Sequence, residues 1–141
     1  MQILTVTMNP AVDLLTSVEH VVPTLKMRCG PVRRDPGGGG VNVARVCRRL
    51  GAEATALFTA GGATGALLEQ LLAEEDVGRH VVPAAAATRE DFTVLETSTG
   101  SEFRFVVPGE PLSETEWQGC LDALGDVRVK PDFIVASGSL P

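Results

Sequence analysis

Four consecutive glycines, Gly37 to Gly40, stand behind Pro36 and directly ahead of a stretch with helical spacing, and nothing else in the chain restricts the fold as much. Glycine permits close backbone approach, and a helix N-terminus presents unpaired N–H groups to an oxygen-rich ligand. From Val41 to Leu50 the residues Val43, Val46, Cys47 and Leu50 fall on one side and Arg45, Arg48 and Arg49 on the other, with Gly51 as the stop. A flexible structural turn is the competing reading of the glycines. Two familiar phosphate loops are excluded: the chain has no Gly-Lys pair for a Walker A loop, and GxGxxG started from Gly38 and Gly40 meets Val43 at its third glycine.

Elements on either side place this unit. Ile3–Met8 reads as a core strand ended by the Asn9-Pro10 turn, and Val12–Val22 and Met27–Arg34 read as strands of a partly exposed sheet. Ala54–Ala60 is a second core strand and Gly61-Gly62 a turn. Ala63–Asp76 is a helix with Leu67, Leu68, Leu71 and Leu72 as its buried stripe, and Val81-Val82 is a short third strand. The order β, α, β, α, β favours a parallel sheet covered by helices. Past the alanine-rich linker Pro83–Ala87, Asp91–Thr97 and Glu102–Val107 flank Ser98–Ser101 as a hairpin akin to the first exposed strands. Ser113 with Glu116 forms a capping box, and Trp117, Cys120, Leu121 and Leu124 carry a third helix. Asp132–Ser137 reads as another core strand.

Composition narrows the function. A net charge of −6 over 141 residues argues against a general grip on nucleic acid or anionic lipid, so an anion must be held by a few placed basic residues. No apolar run approaches the roughly 18 residues of a membrane span, and Met1–Met8 lacks the pattern of a secretory signal, which sets the cytoplasm as the expected compartment. Cys29, Cys47 and Cys120 suggest reduced buried thiols, and His20 and His80 share no metal-like spacing, so neither metal nor hydrolase chemistry is assigned.

Three groups remain. Asp13, just beyond the first strand, stands where an open α/β sheet forms its ligand crevice, and its carboxylate could accept hydroxyl hydrogen bonds of about 1.5–3 kcal/mol each. Asn42 could serve the same ligand or cap its helix. Lys26, Arg28, Arg33, Arg34, Arg89 and Arg104 lie in the exposed-strand segments; most read as surface charges, with two or three recruited for a phosphate. Glu74-Glu75-Asp76 reads as a solvated helix end.

Together, Asn9-Pro-Ala-Val-Asp13, Pro36-Gly-Gly-Gly-Gly-Val-Asn42-Val-Ala44, Gly51, Ala60-Gly-Gly62 and Ser137-Gly-Ser-Leu-Pro141 resemble the PfkB (ribokinase-like) sugar kinases over all 141 residues. Gly38–Gly40, Asn42, Ala44, Gly51 and Gly61 stand at the spacing of the family signature. Lys26-Met-Arg-Cys29 and Arg104–Gly109 look most like its minor bacterial 6-phosphofructokinase branch, whereas kinases for fructose 1-phosphate usually carry a Lys inside the glycine cluster. The resemblance implies a Rossmann-like α/β ribokinase fold in which segments near 12–34 and 89–107 form a small β-sheet lid that builds a homodimer interface.

It also implies ATP- and Mg2+-dependent phosphorylation of a sugar phosphate: fructose 6-phosphate to the 1,6-bisphosphate, or alternatively fructose 1-phosphate or tagatose 6-phosphate as acceptor. Asp13, the backbone of Gly38, Gly39 and Gly40, Asn42 and Ser139 would hold the sugar. Arg89 and Lys26, helped by Arg104, would hold its phosphate, with Arg89 able to reach a neighbouring subunit's ligand. The family's Gly-Ala-Gly-Asp segment, which carries the base and anion hole, does not occur in the chain. The expectation is an N-terminal portion, inactive and marginally stable by itself, with no catalytic residue and no nucleotide-binding residue of its own. A non-catalytic sugar-phosphate-binding or dimerisation module is the expectation of a different class, and a dinucleotide-binding domain the weakest.

Overall fold

A computed structural model describes residues 1–127 and 130–141. The chain runs β1 (Gln2–Thr7), β2 (Ala11–Val18), β3 (Arg33–Gly37), α1 (Gly39–Arg49), β4 (Glu53–Ala60), α2 (Gly62–Glu74), β5 (Gly78–Pro83), β6 (Arg89–Glu96), β7 (Ser101–Phe105), α3 (Glu114–Gly125) and β8 (Phe133–Ala136). These strands form two sheets. The core sheet, in the order β5-β4-β1-β8, is parallel throughout, as the βαβαβ order requires of strands joined by crossover helices. The second sheet, β3-β2-β6-β7, pairs β2 with β6 in parallel and adds an antiparallel strand at each edge.

Helices cover both faces of the core sheet. On one side Val41 and Ala44 of α1 and Leu68 and Leu72 of α2 pack with Ala54, Ala56, Phe58 and Ala60 of β4, and Val12 of β2 joins them. On the other side Cys120 and Ala123 of α3 pack with Leu4, Val6, Leu57 and Val82. A strand buried on both faces explains why β4 reads as an apolar run rather than an alternation. No helix among the described residues is long and apolar enough to cross a membrane.

Several expectations shift. Met27–Arg34 is not a strand: β3 begins at Arg33 and runs through Pro36 into Gly37. Pro36 is tolerated because β3 is an edge strand, where a missing N–H breaks no inner ladder. Likewise β2 ends at Val18, short of Val22. Helix α1 starts at Gly39, two residues before Val41, and buries Gly40, Val41 and Ala44, while Val46 and Leu50 are 51% and 81% exposed. Small residues pack the close face against β1 and β4, so the larger apolar side chains do not mark it. The Glu74-Glu75-Asp76 end is not simply solvated, because Glu75 receives Arg45 and Arg49 at 2.7 Å each and ties α2 to α1. On α3 the Ser113 capping box is present, but Trp117 and Leu121 lie on the exposed side. Strand β8 is an edge of the core sheet, with Phe133 and Ile134 each 59% exposed. Of the cysteines only Cys120 is buried; Cys29 is exposed.

Candidate functional site

The two sheets meet along a seam at the C-terminal ends of the core strands. Chain reversals place it there: Met8–Pro10 leads β1 into β2, Gly38 leads β3 into α1, and Ser137–Ser139 follows β8. Gly38 has φ +107°, a conformation that favours glycine, and the Gly40 N–H donates to the Ser137 carbonyl at 3.0 Å, joining α1 to the end of β8. A Cβ added to Gly39 would come within 2.7 Å of Gly138 N, and one added to Gly40 within 2.5 Å of Thr7 Oγ1. The glycine run therefore lets α1 sit directly on β1 and the β8 loop.

Asp13 is the third residue of β2, in register with Asp35 of β3 and Asp91 of β6, so three carboxylates share one face of the second sheet, the one expected to act as a lid. Its side chain lies over Gly37, where a Cβ would fall 2.5 Å from Asp13 Oδ1. Burial pushes the Asp13 carboxyl above its ordinary value and Asp91 adds to the rise, while Arg104 and Arg89 draw it back. That arrangement suits a carboxylate awaiting hydroxyl donors that would replace its lost water.

Arg89 is not a surface charge. Its side chain is 10% exposed; Nη1 lies 2.6 Å from both Asp91 carboxylate oxygens and 3.1 Å from the Val107 carbonyl. Nε donates to Asn9 Oδ1 at 2.9 Å and Nη2 to the Asn9 carbonyl at 3.2 Å. Asn9 in turn donates from Nδ2 to Ser139 Oγ at 3.0 Å. Arg104, on β7 in register with Thr93, is exposed and has no ion-pair partner among the described residues.

The structure thus brings Asp13, Gly38, Gly39, Gly40, Arg89, Arg104 and Ser139 to one seam. Two residues stand differently. Asn42 is exposed on α1 and accepts from Arg45 Nη1 at 3.0 Å; it is not the helix cap, because that position belongs to Gly38, which offers no side chain. Lys26 is exposed on the segment between β2 and β3 and forms no ion pair with Asp13, Asp35 or Asp91 among the described residues. Sequence reasoning quoted Asn9 as a turn residue and as part of the Asn9–Asp13 motif but gave it no role at the site, and it missed Asp35 and Asp91, whose alignment with Asp13 appears only once the strands are in register. A cavity of about 650 Å³ opens at the other end of the core sheet beside Gln2, Arg48 and Glu53 and holds none of these residues.

A layered α/β core and a second β-sheet thus meet with a carboxylate, a glycine turn and arginines between them, and the class of protein this scaffold represents is that of the carbohydrate kinases. The chain belongs to the pfkB family of carbohydrate kinases, which it matches over residues 6–141. Over 140 residues it is 55% identical to ATP-dependent 6-phosphofructokinase isozyme 2 of Mycobacterium tuberculosis, covering 99% of this chain and 41% of that protein. To the isozyme 2 of Escherichia coli it is 41% identical, covering 99% and 45%. The crystal structure of phosphofructokinase-2 from Escherichia coli in complex with fructose 6-phosphate superposes with a TM-score of 0.93 at 40% identity, covering 99% of this chain and 46% of that one. The chain therefore spans less than half the length of the curated relatives it matches.

Proposed function

We propose that this chain supplies the acceptor-sugar site of an ATP-dependent 6-phosphofructokinase. The observation that carries the reading is the convergence of Asp13, the Gly38–Gly40 turn, Arg89, Arg104 and Ser139 at one seam between core and lid. Asp13 accepts sugar hydroxyls, the α1 N-terminus and Asn42 border the ring, and Ser139 contacts it from the β8 loop. Arg104 offers the phosphate a cation with no ion-pair partner among the described residues, and Arg89 adds charge from within its hydrogen-bonded frame; Lys26, the other cation expected there, stands apart on the segment between β2 and β3. Positioning of this kind is most of what phosphoryl transfer asks of a protein. Fructose 6-phosphate is the preferred acceptor because identity is higher to the 6-phosphofructokinases, at 55% and 41%, than to a 1-phosphofructokinase of Xanthomonas campestris at 31% or a D-tagatose-1-phosphate kinase of Bacillus licheniformis at 33%.

ATP and Mg2+ belong to the reaction, but no group of three or more His, Cys, Asp or Glu among the described residues converges to hold a metal. A homodimer through the lid is part of the proposal. Phe92, Phe105, Leu14 and Val94 share the lid face opposite Asp13, and Phe92 and Phe105 are 45% and 56% exposed. The free, exposed Cys29 suits a reducing compartment, the cytoplasm. Calorimetric titration with fructose 6-phosphate tests the reading. Binding that Asp13→Ala weakens at least about tenfold is expected, and absence of heat at millimolar ligand overturns it.

A further inference from the structure

We infer that Asn9 is a positioning residue that locks the lid arginine to the Ser139 loop and turns the Ser139 hydroxyl outward as a donor to the ligand, an inference that rests on the sugar-phosphate reading of this seam. Asn9 is 9% exposed, and its polar atoms face two different parts of the fold. Arg89 Nε carries only a proton, so the amide oxygen must face it, and this fixes Nδ2 toward Ser139 Oγ. Ser139 Oγ then accepts from Asn9, and its own proton is free to be donated elsewhere. A sugar or phosphate oxygen at the seam is the acceptor this orientation serves.

The same clamp restrains Arg89. A guanidinium has five N–H groups. Those of Arg89 are directed to Asn9 Oδ1, the Asn9 carbonyl, Asp91 and the Val107 carbonyl, which leaves one N–H of Nη2 without a partner among the described residues. Arg89 therefore meets an anion as a fixed charge with one free donor rather than as a two-pronged fork. Gly109, after β7, closes the third side: a Cβ there would collide with Asn9 Oδ1, so the segment following the lid hairpin lies directly against the amide. One carboxamide thus sets the geometry of two residues carried by different sheets.

The test is a double-mutant cycle on the naturally produced protein, read by calorimetric titration with fructose 6-phosphate. Asn9→Asp keeps an acceptor for Arg89 but removes the donor to Ser139, so the serine turns its proton inward. N9D is expected to weaken binding about tenfold or more, and N9D combined with S139A to bind no more than about threefold worse than S139A alone. Unchanged binding by N9D, or losses that multiply in the double variant, overturns the link. If N9D does not fold, the link is read from its other end by NMR. The Asn9 side-chain amide protons should exchange at least about tenfold faster in S139A than in the wild type, and equal rates overturn the inference. Failure of the wild type itself to bind the sugar phosphate overturns the site reading and leaves the exchange measurement to judge the Asn9–Ser139 bond.

Discussion

Asp13, the proposed acceptor of the sugar hydroxyls, works against the stability of the fold that carries it. Burial and the neighbouring Asp91 raise its carboxyl above the ordinary value, so the native state holds its proton more tightly than the unfolded chain does. The stabilisation from that proton is complete below the ordinary aspartate range and is lost as pH rises through the raised native value. At neutral pH the charged Asp13 is therefore a net cost to folding. Asp13→Asn removes that cost, and its melting temperature at pH 7 is expected to exceed that of the wild type, with the difference vanishing near pH 3. Thermal melts across pH read this directly. Fructose 6-phosphate binding by the same variant falls, because an amide is a weaker hydroxyl acceptor than a carboxylate. Nothing in the residue Asp13 foretells its register with Asp35 and Asp91, which belong to strands more than twenty residues away in either case.

At the scale of elements, the connection between α1 and α2 depends on one carboxylate. Glu75 accepts from Arg45 Nε at 2.8 Å and from Arg49 Nη2 at 2.7 Å, and these hydrogen bonds, the Arg45 one foremost, hold its carboxyl below the ordinary value. Arg45 also donates to the Pro36 carbonyl at 2.8 Å, so the same group braces the strand that enters the glycine turn. With the side chain of Arg45 13% exposed, loss of its partner leaves a poorly solvated cation. Glu75→Gln is expected to cost about 1–2 kcal/mol, measured by urea unfolding at neutral pH. The wild-type advantage is present above the ordinary glutamate range and disappears as pH falls through the lowered native value. The acidic run 74–76 is visible in the sequence; its partners, some thirty residues upstream, are brought to it only by the packing of both helices on β4.

At the scale of the whole molecule, apolar side chains among the described residues lie exposed on the outer face of the second sheet, around Phe92 and Phe105, and on the edge strand β8, at Phe133 and Ile134. The first of these lies on a continuous four-stranded sheet, which suits it to the proposed pairing with a second copy. Phe105→Glu places a charge on that face and is expected to shift a dimer to monomer in analytical ultracentrifugation, with the circular dichroism spectrum unchanged. A variant that stays dimeric would place the contact elsewhere. Strand β8 presents unpaired backbone groups along its outer side, the usual template for another strand.

The parallel α/β core, the lid hairpin, the capped third helix and the glycine turn at the head of α1 were legible in the sequence because each rests on local chemistry. Apolar periodicity, turn residues and caps act over a few positions, and the family spacing of Asp13, the glycines and Asn42 is a property of the chain order. Tertiary structure alone decided that Asn9 is a hinge of hydrogen bonds rather than a mere turn, that Arg89 is nearly enclosed, and that three aspartates share a face. These depend on strand register and on the meeting of two sheets, where residues 80 and 130 positions apart come within hydrogen-bond distance, and no local pattern encodes such a meeting.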